Sequence, residues 1–310
     1  MSLLHTIAPA LFVLLWSSGF VAAKLAIPFA EPCTFLFLRF SIVVLVLLPI
    51  VLMAGEPPSA RRTFHTIVGG ALMQGLYLSC VVWSIYLGMP AGVVALTVSL
   101  HPITTAILAS LFLGDRISAL GWLGFVLGMA GAVLVLWPQL DLDAGNIRPL
   151  TIALCLCALP CMSCGTVYQK RFAPDVGPLT ATCVQHIGAL FVTGAGALLI
   201  EKELIDWTPL MVGSLLWQAL VVSVGAVALL LLMLGSQSAS RVSSVFYMVP
   251  AGSAGLTFLL LGENLELLQI AGMVVVTGAV ILIGIGGRQG PVPKRPAMAK
   301  RPAPRVPGRR

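Results

Sequence analysis

Successive apolar runs of about twenty residues leave this chain few ways to fold. They fall near residues 5–25, 33–54, 66–86, 92–112, 119–137, 150–170, 179–200, 214–235, 242–261 and 267–286. As an α-helix rising 1.5 Å per residue, each is long enough to cross a hydrocarbon core about 30 Å thick. The runs are continuous rather than alternating, so they do not read as barrel strands. Helices and closed barrels are the only structures that leave no backbone group unbonded in lipid. Charged residues make up 9% of the chain, against about 25% in a soluble domain, and mean hydropathy is +1.02. The expected fold class is an all-α integral membrane protein with ten transmembrane helices. Residues 1–6 carry no Lys or Arg, and many spans follow, so the first run reads as a span and not as a cleaved signal.

The second constraint is internal repetition. Residues 91–137 recur as 239–285 at an offset of 148: Pro102 falls on Pro250, Gly114 on Gly262, Asp115 on Glu263, Leu120 on Leu268 and Gly124 on Gly272. Further upstream, Ser17-Ser18-Gly19 recurs as Ser163-Cys164-Gly165 at an offset of 146. A small insertion separates the two offsets, and the seam lies near residues 141–148. The division is a first five-helix repeat at 5–137, a second at 150–286 and a tail at 287–310. Five is odd, so the second repeat enters the membrane from the opposite side. Inverted repeats are a recurring build for secondary transporters, with the substrate near the midplane between the halves.

Cations set the orientation. With a cytoplasmic N-terminus, the cytoplasmic loops hold Arg61, Arg62, Arg116, Lys170, Arg171 and Arg241, and the tail holds eight more. The far side holds Lys24, Arg148, Lys202 and Arg39, the last just inside a span. Both termini are therefore expected in the cytoplasm, with the bundle in the plasma (bacterial inner) membrane. The chain's net charge of +7 resides in the tail, which has eight cations, no acids and many prolines. It is expected to be disordered and to meet the anionic cytoplasmic leaflet. A membrane-tethered tail without aromatics gives no nucleic-acid reading.

These residues resemble a known family. The stretches L-L-W-S-S-G-F-V-A-A-K (14–24), L-R-F (38–40), S-L-H-P-I-T-T-A-I-L-A-S-L-F-L-G-D-R (99–116), W-L-G-F-V-L-G-M-A-G (122–131), A-S-R-V-S-S-V-F-Y-M-V-P (239–250) and L-G-E-N (261–264) are similar to the EamA family of the drug/metabolite transporter superfamily. The likeness runs over about residues 7–285. It implies ten helices in two inverted five-helix repeats around a central cavity. It also implies transport, often export, of amino acids and other small metabolites. His101 departs from the family, where a small or apolar residue commonly precedes the proline of the fourth helix.

The candidate substrate-cavity residues follow helix by helix. Trp16 sits at mid-depth beside Ser17 and Ser18, whose small side chains serve either close packing or a cavity wall. Lys24 reads as an interfacial residue that snorkels outward. Arg39 lies about 9 Å inside its span by helix rise. It reads either as an anion site or gate, or as a structural cation bonded to carbonyls or to a loop acid such as Glu31. Gln74, Tyr77 and Ser84 share a stripe on the third span. Thr97, His101 and Thr104 share a face on the fourth. His101 reads as a substrate or proton site, since histidine titrates near physiological pH, or as a locked structural histidine. Pro102 and Pro250 are expected mid-helix, where proline removes an N–H and frees a carbonyl, and so mark kinks or hinges. Ser243 and Tyr247 lie on one face of the ninth span with Ser240 and Ser244. Tyr168 follows Cys157, Cys161 and Cys164 on the sixth. Cys161-x-x-Cys164 has no second pair, so it reads as buried hydrophobe rather than metal site. Gln185 and His186 on the seventh span, and Trp217 and Gln218 on the eighth, are bundle hydrogen bonds or cavity residues. Gly124-x-x-x-Gly128 predicts a tight helix pair within the first repeat or a dimer seam. Asp115-Arg116 and Glu263-Asn264 read as turn residues rather than gates.

No catalytic constellation, phosphate loop or metal-spaced cluster appears, so neither an enzyme nor a cofactor is expected. The expected partners are a small-molecule substrate and the lipid bilayer, with the chain a monomer or homodimer. The reading is a secondary transporter that exports small polar metabolites such as amino acids by alternating access. Its alternatives are an importer or carrier of sugar-like metabolites or drugs and, from another class, a non-transporting sensor or intramembrane enzyme.

Overall fold

The structure, a computed structural model, describes residues 3–53, 59–89, 94, 97–137, 148–202, 205–261 and 266–286. The tail, the centre of the seam and Glu263-Asn264 lie outside the described residues, as does the side chain of Lys24. Among the described residues the fold is all helical apart from one isolated bridge, Ala30 to Ile205. The helices are α1 (Leu3–Ala26), α2 (Pro32–Met53), α3 (Ala60–Tyr86), α4 (His101–Leu113) and α5 (Ala119–Leu136), then α6 (Pro149–Phe172), α7 (Pro178–Ile200) and α8 (Pro209–Ser236). Helix α9 is built from Ala239–Ser244, a 3-10 turn at Val245–Tyr247 and Met248–Leu261, and α10 is Leu267–Gly286. Among the described residues seven of these, α2, α3, α5, α6, α7, α8 and α10, are long and apolar enough to cross a membrane.

Local chemistry explains the ends. Helices α2, α6, α7 and α8 each begin with a proline, a residue with no N–H to leave unbonded at the first position. Ser118, Thr208 and Ser238 cap α5, α8 and α9 by accepting from backbone N–H groups three residues on, as small hydroxyl residues do. Gly114 closes α4 at φ +72°, a left-handed value that costs glycine nothing.

The helix boundaries carry the sequence offset. Helix α6 begins and ends 146 residues after α1, α7 begins 146 after α2, and α10 begins 148 after α5. Two helices widen into π-helix, at Ala71–Leu76 in α3 and Trp217–Ala226 in α8, and these segments also start 146 residues apart. Packing follows the same exchange. Helix α1 lies against α8 and α9, as α6 lies against α3 and α4, while α2 pairs with α7 and α5 with α10. The main core gathers from α1, α3, α6, α8 and α9 around Phe12, Trp16, Met73, Met162, Leu230 and Phe246.

Two expectations are corrected. The glycines of α5 do not pair helices within the first repeat. A Cβ on Gly124 would meet Ala279 O at 2.9 Å, and one on Gly131 would meet Gly272 O at 3.0 Å, both on α10. Gly128 instead backs onto the Tyr247 ring of α9, 2.7 Å from where its Cβ would stand. Nor is Pro102 mid-helix, whereas Pro250 lies midway along α9, just after its 3-10 turn. Pro102 is the second residue of α4, and Pro250 is the third of Met248–Leu261. Proline cannot donate into a preceding turn but fits the first turn of a new helix, so the chain tightens just before each and restarts. Leu100 and Met248, 148 apart, both adopt φ −74° and ψ −16° at these restarts.

Candidate functional site

The described helices converge on a chain of four rings. Phe12 and Trp16 of α1 have centroids 5.3 Å apart, and Phe246 of α9 meets them edge-on at 5.0 and 5.3 Å. His101 of α4 completes the set, edge-on to Phe246 at 5.0 Å. Edge-to-face packing joins the positive rim of one ring to the negative face of another. Trp16 and His101, both singled out in the sequence, are thus brought together and buried. His101 Nε2 has no partner among the described protein atoms, nor has Thr105 Oγ1 one turn further along α4. Thr97 lies half-buried just ahead of the turn at Ser99–Leu100 that precedes α4, its carbonyl accepting from Leu100 N–H at 3.0 Å.

Beside the rings, a contact occurs twice. Ser17 of α1 donates to the carbonyl of Val249, the residue before Pro250, at 3.1 Å. Ser163 of α6 stands 3.5 Å from the carbonyl of His101, the residue before Pro102, and 2.5 Å from Thr104 Oγ1. Ser163 follows Ser17 by 146 residues, and His101 precedes Val249 by 148. The glycine two residues after each serine opens the approach. Gly19 lies against Val222 in the π segment of α8, and Gly165 against Leu72 and Met73 in that of α3. The Ser-x-Gly motif of both halves is therefore a docking element for the opposite half.

The remaining candidates divide. Arg39 is buried, and its Nε donates to Ser223 Oγ of α8 at 2.8 Å. Its guanidinium carbon is 5.6 Å from the Phe40 ring centre. Glu31, the acid considered for it, accepts from Lys202 N–H at 2.9 Å instead. Tyr77 lies in the main core, and Gln74 is fully buried nearby on α3. Gln218 donates to the Gly19 carbonyl at 2.9 Å. Tyr168 leaves the centre: its hydroxyl is 2.7 Å from His65 Nδ1 and its ring packs on Phe172. Trp217 is 46% exposed and donates to Ser18 Oγ at 3.0 Å, in a recess between α1 and α8. Ser243 bonds back to the Ser240 carbonyl. Tyr247 donates to the Phe125 carbonyl at 3.2 Å and belongs to the core between α4, α5, α9 and α10. Sequence reading missed Phe12 and Phe246 as ring partners and Ser223 as the mate of Arg39. The duplicated Ser-x-Gly held the signal for Ser163.

Polar ties close both ends of the bundle. Lys170 donates to the carbonyls of Leu234 and Gln237, Arg171 to Phe112 O and Arg241 to Gly284 O. Cations suit helix C-termini, where carbonyls lack partners. Asp115 accepts from Ser240 Oγ at 3.0 Å and Ser240 N–H at 3.4 Å, joining the end of α4 to the start of α9. At the opposite ends, Glu201 accepts from Cys33 N–H, Thr34 N–H and Thr34 Oγ1 at 2.6, 2.7 and 2.7 Å. Among the described residues no three His, Cys, Asp or Glu side chains gather to hold a metal.

The EamA-like transporter family matches this chain twice, over residues 6–137 and 149–285. The chain belongs to the EamA-like transporter family. It is an integral membrane protein of a transporter class. It is 25% identical over 276 residues to the uncharacterized transporter YvbV of Bacillus subtilis, covering 88% of this chain and 89% of that one. It is 24% identical over 287 residues to a probable amino-acid metabolite efflux pump of Escherichia coli, covering 87% and 92%. A crystal structure of another protein superposes with a TM-score of 0.74 at 18% identity, over 92% of this chain and 97% of the other. That likeness is one of fold.

Proposed function

We propose that this EamA-like chain is a secondary transporter that exports small polar metabolites, amino acids among them, by alternating access. In this reading ten helices form two inverted five-helix repeats with both termini in the cytoplasm of a plasma (bacterial inner) membrane. The observation that carries it is the duplicated contact of Ser17 with the Val249 carbonyl and Ser163 with the His101 carbonyl. Each ties the first helix of one half to the residue before the proline restart of the other. A net hydrogen bond contributes only about 0.5–1.5 kcal/mol, so such ties can open and re-form within a transport cycle. Inverted halves supply two related states, one open to each side. The ring cluster forms the apolar wall of the substrate site, and His101 Nε2 and Thr105 Oγ1 are its polar contacts. The efflux-pump name of the Escherichia coli relative favours amino acids and the outward direction.

Flux of labelled amino acids into proteoliposomes holding the purified protein tests this, with and without a proton gradient and with His101→Ala alongside wild type. Movement above empty liposomes that falls at least tenfold in His101→Ala is the expected result. Movement indifferent to His101→Ala removes the histidine from the site. Absence of flux for every amino acid overturns the substrate class and turns the panel to sugars, nucleosides and drugs.

A further inference from the structure

The crossing of α3 and α7 holds buried polar side chains that the ring-lined centre does not use. Gln74 of α3 and Gln185 and His186 of α7 are all at 0% exposure. Both amide atoms of Gln74, both of Gln185 and Nε2 of His186 have no partner among the described protein atoms. His186 Nδ1 lies 2.7 Å from the Thr182 carbonyl of its own helix. That contact requires the proton on Nδ1 and leaves Nε2 as a lone-pair acceptor. The two helices touch backbone to backbone. A Cβ on Gly70 would fall 2.1 Å from Gln185 O, and one on Gly188 2.1 Å from Ile67 O. Gln74 itself sits in the π segment Ala71–Leu76, and such single-turn irregularities frequently mark functional sites.

The other half shows the same position satisfied. Gln185 lies 146 residues after Arg39, and His186 lies 146 after Phe40. Arg39 finds Ser223 in the π segment of α8, and Phe40 meets His186 edge-on at 5.2 Å. By the same offset the Arg39–Ser223 pair falls on Gln185 and Tyr77 in the other copy, where both amide atoms of Gln185 have no partner among the described protein atoms. Each such atom left unmet costs about 1–3 kcal/mol, and a folded domain has only about 5–15 kcal/mol in all.

We propose that Gln74, Gln185 and His186 form a binding site for a small uncharged group that both donates and accepts hydrogen bonds. The amides supply donors and acceptors, and the imidazole lone pair takes one further donor. A cation is disfavoured because Arg39 stands beside Phe40 against the His186 ring. Arg39 would attract an anion, but its Nε is committed to Ser223 and the site's own donors are neutral amides, which replace an anion's lost water poorly. Internal water and the hydroxyl or carboxamide of a solute share the required chemistry. The site is separate from the ring cluster and does not depend on what binds there.

Radiolytic hydroxyl-radical labelling of the full-length protein in lipid nanodiscs, read by mass spectrometry, tests the proposal. Radicals form from water, so a buried side chain is oxidised when water lies beside it. His186 is the reporter, and Met211, buried in the apolar cluster of α2, α7 and α8, is the dry control. The expected result is His186 labelling several-fold above Met211 that falls to the control level in Gln74→Leu/Gln185→Leu, which assigns water. Melting temperature with L-serine or L-glutamine is the second arm. An unlabelled His186, with a melting temperature raised by either amino acid in wild type but not in the variant, assigns the solute. An unlabelled His186 with no variant-dependent shift overturns the site, since it is then dry and empty. Should the double variant not fold, Gln185→Met, which keeps the side chain's length, replaces it in both arms.

Discussion

At Gly131 a single methyl group decides whether α5 and α10 can meet. A Cβ there would approach Val276 N at 2.8 Å and Gly272 O at 3.0 Å, and backbone atoms cannot yield as a flexible side chain can. Gly131→Leu is therefore expected to yield no monodisperse protein by fluorescence-detected size exclusion in detergent. Gly114→Ala is the contrasting case. Its φ of +72° is strained for alanine, but nothing lies within 4 Å of the new atom, so it should cost about 1–2 kcal/mol and elute as wild type. Equal behaviour of the two variants would contradict the close α5–α10 approach. The need for glycine was legible in the sequence, but its partner helix was not. A Gly-x-x-x-Gly pattern says that a backbone comes close and carries no word on which one. Arg39 teaches the same lesson. Its burial followed from its place in an apolar run, whereas its partner Ser223 lies 184 residues away and nothing in local sequence names it.

Between elements, the ties act at helix ends and at the proline restarts. Glu201 bonds the N–H groups of the first turn of α2, which have no partner within the helix, the place where a carboxylate complements the helix dipole. Glu201→Ala is expected to lower stability by about 1–2 kcal/mol, the range for a lost N-cap, read as a lower melting temperature in detergent. An unchanged melt would show that water replaces the carboxylate without cost. Under the inverted-repeat proposal, Ser17→Ala and Ser163→Ala should shift the balance between the two faces in opposite directions. A tie of about 1 kcal/mol corresponds to a several-fold change in population, and the double variant should fall between the singles. Cysteine accessibility measured from each side of the membrane checks this, and shifts of the same sign would argue against inversion. The prolines were visible in the sequence, and Pro250 does lie midway along α9, but Pro102 stands at a helix start that the sequence did not show. Hydropathy runs straight through Ser99 and Leu100 and cannot register a turn that restarts a helix.

Across the whole molecule, charge is partitioned between bundle and tail. The bundle without its eight tail cations carries a net charge of −1, from the chain's +7. Juxtamembrane cations each contribute about 1 kcal/mol near an anionic leaflet. A peptide of residues 287–310 should therefore co-sediment with anionic vesicles, release at high salt and ignore neutral ones. Binding to neutral vesicles would show that attraction to the leaflet is not electrostatic. By itself the sequence determined the solvent, the helical class, the duplication and the family, because each is a property of composition or spacing along one chain. Hydrophobic length selects helices in lipid whatever their neighbours are, and a fixed offset needs no third dimension. Only the tertiary structure decided that α5 meets α10, that Ser17 and Ser163 reach pre-proline carbonyls, and that Arg39 is partnered while the amides of Gln74 and Gln185 meet no partner among the described protein atoms. Those outcomes depend on the rotation and depth at which one helix lies against another. A shift of one residue turns a side chain by about 100°, and no local pattern encodes that.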